Sequence, residues 1–246
     1  LNDNQRRNAL STEMLARLSA AFTEAADDVR VRVVVLAATG PVFCSGHDLK
    51  EMTAARAESD KGHEAYQQLF AACASVMQLI VRNPKPVIAE VAGVATAAGC
   101  QLVASCDLAM ASNTAQFATP GVNLGLFCST PMVALSRNVG RKHAMEMLLG
   151  GDMVDASRAE QIGLINRAFE ADQLTAETMA IALKIASKST MTIAIGKRAF
   201  YEQAEMPLKE AYAYTSQVMT ENMLTRDADE GIGAFLEKRS PKWEDQ

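Results

Sequence analysis

The chain has 246 residues, 49% of them apolar, enough for one large domain or two small ones around a sizeable core. Its formal net charge of −5 excludes a general nucleic-acid binder, which would show a basic face, but leaves room for a local basic patch. No apolar run approaches the roughly 18 residues that span a bilayer, so neither nucleic acid nor membrane is expected as a partner.

In chain order, Ser11 can cap a helix over residues 12–26, with Met14, Leu15, Leu18, Phe22 and Ala25 on one face. Residues 31–37, apolar apart from Arg32 and rich in β-branching, predict a strand buried on both faces. Gly40-Pro41 ends it, and a loop to His47 is expected. The spacing of Tyr66, Leu69, Phe70, Cys73, Val76, Met77 and Ile80 predicts a long helix stopped by Pro84 and Pro86. A buried strand over 87–91 leads into small residues, Gly93 to Cys100, that open a short helix through Val103. Strands over 107–111 and 116–118 follow. Beyond Gly125 helical patterns dominate: 132–139, 142–149, 156–162, 174–187, 191–203, 208–223 and 230–238, with one further strand within 164–169. The expectation is therefore an α/β core over 1–190 and a helical region over 191–246, with no linker between them.

Five cysteines, an odd number with no C-x-x-C pair, predict a reducing compartment rather than a disulfide framework. The three histidines show no metal spacing. The chain opens at Leu1, so an upstream segment, a first strand or a targeting segment, is expected.

Two stretches carry chemistry. In Phe43-Cys44-Ser45-Gly46-His47-Asp48-Leu49-Lys50, small residues after a strand let a backbone N–H approach a ligand closely. In Gly93 to Gly99, small residues again lie between a buried strand and a helix start, where unpaired N–H groups and a partial positive charge can stabilise an oxyanion. Taken singly, each is explained as well by loop and helix packing. Together, about fifty residues apart after strands that could be neighbours, they can aim two N–H groups at one point.

Here the chain resembles the crotonase (enoyl-CoA hydratase/isomerase) superfamily, over nearly its whole length and in colinear order. The matching residues include Arg7-Asn8-Ala9-Leu10, Phe43 with Ser45 to Leu49, Val91-Ala92-Gly93, Ala98 to Leu102, Cys106-Asp107, Ala115-Gln116-Phe117 and the tail from Glu230 to Arg239. The segments 97–107, 117–123 and 125–131 look most like the enoyl-CoA hydratase domain-containing protein 3 subgroup. The resemblance implies a crotonase-like spiral of ββα units, C-terminal helices that build a homotrimer or a hexamer of two trimers, and an acyl-CoA thioester ligand. No cofactor is implied, because coenzyme A is part of the substrate. It places the oxyanion-hole N–H groups on His47 and Ala98, the latter acceptable as alanine if its φ is negative. Ser45, Gly46, Asp48, Leu49, Lys50 and Gly99 fall on substrate-binding positions, and Lys238 on a lysine that in some relatives reaches the nucleotide. The compartment implied is cytoplasmic for a bacterial source, with a mitochondrial one open to a eukaryotic source.

The chain departs from the family where hydratases carry two glutamates: Gln101 and Gly121 stand there. Gln101 can orient a water but cannot take its proton, and Gly121 can do neither. An enzyme using the oxyanion hole on a thioester enolate is expected, with inefficient hydration, and restoring both acids is expected to raise it. A non-catalytic acyl-CoA binder and a different reaction, isomerisation or thioester hydrolysis, stay open. The His47 side chain as a base is set against one that supplies only its N–H and points outward. Cys128-Ser129 as a nucleophile is set against a small buried thiol beside a helix cap. Asp107 as an acid is set against a residue that ends a strand or holds a turn.

Overall fold

The first six strands alternate between two sheets in chain order, and this alternation builds the site. The structure, a computed structural model, describes residues 1–245. One sheet contains β1 (Val34–Leu36), β3 (Val87–Val91), β5 (Leu108–Ser112) and β8 (Arg167–Phe169), in that order and all parallel. The other contains β2 (Val42–Cys44), β4 (Val94–Thr96), β6 (Gln116–Ala118) and β7 (Val154–Asp155), with only β7 antiparallel. Each turn of the resulting spiral supplies one strand to each sheet and then helix: α2 (Leu49–Ala55) and α3 (His63–Arg82) after β2, and α4 (Ala98–Ser105) after β4.

The first helix, α1 (Thr12–Asp27), is capped by Ser11, whose Oγ accepts the Met14 N–H at 3.2 Å. It buries Leu15, Leu18 and Phe22 and packs on α3, whose buried stripe is Leu69, Cys73, Val76, Met77 and Ile80. These side chains join the strands in the main core. All five cysteines are buried free thiols.

Two strand expectations are corrected. The 31–37 strand shrinks to β1, at a sheet edge with Val34 and Val35 only half-buried. Its two faces do pack, Val34 and Leu36 on the main core and Val33 and Val35 on a second apolar cluster, but an edge strand covered on one flank leaves them only partly buried. The segment read as a loop to His47 contains β2, and the small-residue stretch contains β4. Both strands are three residues long and lack a legible alternation.

The later helices are α5 (Pro131–Asn138), α6 (Arg141–Gly150), α7 (Ala156–Gln161), α8 (Leu174–Ala186), α9 (Thr190–Gln203), α10 (Leu208–Met223) and α11 (Arg226–Leu236). Asp107 pins α9 to the core. Lys197 Nζ on α9 donates to Asp107 Oδ2 at 2.6 Å and to the carbonyls of Ile80 and Lys85, at 2.9 and 3.1 Å. Tyr201 OH donates to Asp107 Oδ1 at 2.9 Å, and the Val87 N–H to Oδ2 at 2.7 Å. Burial lowers the Lys197 pKa against the opposing pull of Asp107, and burial raises that of Tyr201, with Asp107 adding to the rise. Asp107 is thus a structural clasp, with both oxygens engaged.

The chain end straps α11 back onto the α8–α9 turn. Asp227 accepts the Glu244 and Asp245 N–H groups, at 2.8 and 3.1 Å. Trp243 Nε1 donates to Ser187 O at 2.9 Å, and Asp245 accepts the Thr190 N–H at 2.6 Å.

Candidate active site

The two chemistry-bearing junctions meet. They follow β2 and β4, not β1 and β3, and these strands are parallel neighbours with Cys44 paired to Ala95. His47 and Ala98 each lie three residues past that pair, so one register delivers both amides to the same sheet end. A Cβ placed on Gly46 would lie 2.9 Å from Ala97 Cβ and 3.4 Å from Ala98 N, which measures how closely the loops touch. Gly46 also has φ +92°, so glycine is required twice over. A Cβ on Gly99 would meet Cys44 O at 2.1 Å, seating the α4 start directly on the end of β2.

Neither the His47 nor the Ala98 N–H donates to a protein acceptor among the described residues. Ala98 is the first residue of α4, where a helix leaves its amides unpaired. Its φ is not positive; the strain falls instead on Ala97, at φ 51° and ψ −119°. A non-glycine residue in such a region costs about 1–3 kcal/mol and persists only where its surroundings enforce it. Here the Ala97 N–H is held by Ala118 O at 2.9 Å, and Gln101 N returns to Ala97 O at 3.0 Å. Ala97→Gly is expected to stabilise the chain by about 1 kcal/mol, a rise of about 2–4 °C in thermal midpoint. A lower midpoint would show that the turn carries no strain.

A third segment clamps the first junction. Ser45 N donates to Arg7 O at 3.2 Å and Leu10 N to Gly46 O at 2.7 Å. Buried Asn8 donates its side-chain amide to Thr39 O and Val42 O at 3.0 and 2.7 Å. Thr96 Oγ1 ties the junctions together through Ser45 O at 3.1 Å. The positioning roles of Asn8, Thr96 and Ala97 were not legible beforehand. Asn8 stood in a recognised motif without a role, and backbone strain has no compositional signal.

The His47 side chain does not point outward. Its Nδ1 lies 3.3 Å from Leu10 O, its ring meets Phe70 edge-on at 5.4 Å between centroids, and Nε2 is buried without a partner. Desolvation lowers its pKa from the ordinary 6.5, outweighing Leu10 O and Glu51. The folded chain therefore resists protonating His47 more than the unfolded chain does. Stability should fall as pH drops below about 6.5 and level off once the folded imidazole also titrates. His47→Gln should flatten that part of an acid-denaturation profile; an unchanged slope would locate the titration elsewhere.

Three of the four buried partnerless side-chain atoms among the described residues are His47 Nε2, Gln101 Oε1 and Thr119 Oγ1. All lie on or beside these junctions, and such orphans mark sites that bind water or ligand.

Position 121 is closed rather than vacant. A Cβ on Gly121 would meet Leu126 O at 2.8 Å and Cys128 Sγ at 2.9 Å, and Leu126 N donates to Gly121 O at 2.9 Å. The expected gain from restoring both acids does not survive this geometry, because one contact is to backbone. Gly121→Glu should destabilise the chain without raising hydration of crotonyl-CoA; faster hydration by that variant would show that the loop yields. Burial also raises the Cys128 thiol pKa, which favours a small buried thiol over an activated nucleophile.

Asp48 is spent as the α2 cap, accepting the Lys50 and Glu51 N–H groups at 2.9 and 3.3 Å. Leu49 and Lys50 are exposed. Asp48 and Lys50 border an open cavity of about 690 Å³ that Arg6, Ser11, Glu13 and Glu51 also line. Lys238 follows α11 at φ 57°, and no hydrogen bond or ion pair links it to residues 45–50 or 98–101 among the described residues. Within one chain, then, the structure gathers Ser45, Gly46, His47, Ala98, Gly99 and Gln101, sets Gly121 against Leu126 and Cys128, and leaves Lys238 unlinked.

A spiral with two unpaired amides at one strand-end junction defines a class of protein, and sequence comparison identifies the same class. The family described as enoyl-CoA hydratase/isomerase matches residues 1–246, and the chain belongs to it. Within it, the chain is 49% identical over 243 residues to mouse enoyl-CoA hydratase domain-containing protein 3, mitochondrial, covering 99% of this chain and 79% of that one. The human protein of that name is likewise 49% identical, with 99% and 78% covered. Its crystal structure superposes with a TM-score of 0.93 at 48% identity, covering 98% of this chain and 95% of that one. An enoyl-CoA hydratase from Mycobacterium smegmatis gives a TM-score of 0.93 at 54% identity, covering 97% and 91%. One from Bacillus anthracis gives 0.92 at only 28%, covering 100% and 94%, so the fold outlasts much of the sequence.

Proposed function

We propose that the chain binds an acyl-CoA thioester with its carbonyl oxygen between the N–H groups of His47 and Ala98, and polarises it toward an enolate. The observation that carries this reading is the pair of unpaired amides, each three residues past the Cys44–Ala95 pair. Each such donor contributes on the order of 3 kcal/mol to a developing oxyanion. The nucleotide end of the ligand lies along the cavity beside Asp48 and Lys50. Fast hydration is not part of the reading. Loss of a general acid–base group typically costs about 10²–10⁴ in rate, and neither Gln101 nor Gly121 exchanges a proton near neutral pH.

The test is a panel of crotonyl-, dienoyl- and saturated acyl-CoA thioesters, with binding read by calorimetry and products by mass spectrometry. The expected result is binding across the panel, with crotonyl-CoA hydration below about 10 s⁻¹, the median for enzymes. Failure to bind any member contradicts the reading, and faster hydration shows that another group replaces the glutamates. A second reading, double-bond isomerisation with His47 as sole base, is favoured by its buried, partnerless Nε2. It requires products from β,γ-unsaturated thioesters that His47→Gln no longer makes.

We also propose that the chain assembles as a trimer or a pair of trimers. Tyr212, Met219, Met223, Ile232 and Phe235 are 47–81% exposed, more apolar surface than a lone helical tail leaves to water. Sedimentation at micromolar concentration should show no monomer; a monomer refutes the assembly. The compartment follows the source: mitochondrial in an animal cell, cytoplasmic in a bacterium.

A further inference from the structure

The His47 N–H donates to no protein acceptor among the described residues, so the bonds of its neighbours set its direction. Those bonds lead to the segment 7–10. Arg7 O accepts the Ser45 N–H at 3.2 Å, and Gly46 O accepts the Leu10 N–H at 2.7 Å. Leu10 and His47 form an isolated parallel bridge, and Leu10 O lies 3.3 Å from His47 Nδ1. The segment itself has an unusual backbone. Arg7 and Asn8 stand at φ 54° and 52°, a region that asparagine enters more readily than most side chains. The Asn8 side chain is fully buried and spends both ends of its carboxamide on backbone. Its Oδ1 accepts the Asp3 N–H at 2.7 Å, and its Nδ2 donates to Thr39 O and Val42 O at 3.0 and 2.7 Å. Val42 opens β2, so the stretch from Val42 to His47 is tied at both ends to the same segment, and Asn8 makes the tie at the far end.

Resting on the reading that the carbonyl sits between His47 and Ala98, we propose that Asn8 is a positioning residue for the His47 amide. With no exposed surface, Asn8 touches no ligand. It acts by fixing segment 7–10 against the start of β2, so that the loop after β2 aims the His47 N–H at the carbonyl oxygen. The Ala98 amide has a separate support, the start of α4 behind Ala97, whose N–H is held by Ala118 O. Loss of the Asn8 carboxamide therefore weakens one donor of the pair and leaves the other.

Infrared difference spectra of bound butyryl-CoA, isotopically labelled at the thioester carbonyl, test this, because each hydrogen bond lowers the carbonyl stretching frequency. The unmodified chain should lower it below the value for the thioester in water. Asn8→Gly keeps the positive φ without strain and should lose about half of that shift, one donor of two. Its affinity for butyryl-CoA should fall by no more than about tenfold. Asn8→Ser retains one side-chain donor and should give an intermediate shift, which keeps the test open if the glycine variant does not fold. Asp107→Ala, destabilised through α9 instead, should keep the whole shift, which separates the aim of the amide from stability. A full shift in the folded Asn8 variants overturns the positioning role alone, as does an equal loss in Asp107→Ala. No lowering in the unmodified chain overturns the carbonyl reading and the positioning role with it.

Discussion

Asp107→Ala is expected to cost about 3–5 kcal/mol of folding stability, the toll of stranding one charge of a buried pair. Lys197 Nζ is 2.6 Å from Asp107, with side chains only 8% and 16% exposed. The same carboxylate also holds Tyr201 OH and the Val87 N–H, so removing it frees a cation, a phenol and the first amide of β3 together. At about 5–15 kcal/mol for a typical domain, that is a large part of total stability. Denaturant unfolding measures it directly. The double change Asp107→Ala with Lys197→Met should recover much of the loss, because the stranded cation leaves too. A cost below about 1 kcal/mol for Asp107→Ala would make the clasp incidental and leave α9 held by apolar packing alone.

Ala98→Pro is expected to be the most damaging single change in the site. Proline suits the first position of a helix and removes only the N–H. Ground-state affinity for butyryl-CoA should fall by about tenfold. Any turnover that passes through the enolate should fall by about 100-fold or more. The neighbour Ala97 sits at φ 51°, so proline next to it could also disturb the turn. The double change Ala97→Gly with Ala98→Pro removes that strain and should lose binding just as fully while melting normally. Unchanged affinity in that double variant would mean the Ala98 amide is not a donor to the ligand.

The long elements were legible in the sequence and the short ones were not. Helices such as α3 and α10 declare themselves by apolar spacing over four turns or more, and β3 by a continuous buried run. β2 and β4 are three residues each, set among glycine, proline and alanine, and they are ordered by strand pairing that no local pattern reveals. The site was therefore found through its small residues but attached to the wrong pair of strands. β1 and β3 are also neighbours, so the expectation that the two junctions converge held although the strands named for it were the wrong pair; the assignment to His47 and Ala98 came from the family resemblance. Gly121 illustrates the opposite limit. Its lack of a side chain was plain, but that Cys128 and a carbonyl fill the space could come only from the structure. His47 shows a third: sequence left its ring free to face solvent, and Phe70 and Leu10 hold it inside.

The central claim is that one carbonyl oxygen takes both amides, and a crystal structure with butyryl-CoA tests it most directly. The account predicts the thioester oxygen at about 2.7–3.1 Å from both His47 N and Ala98 N, with the acyl chain running toward Gln101. A bound thioester whose oxygen contacts neither amide, with both N–H groups facing water, would contradict it.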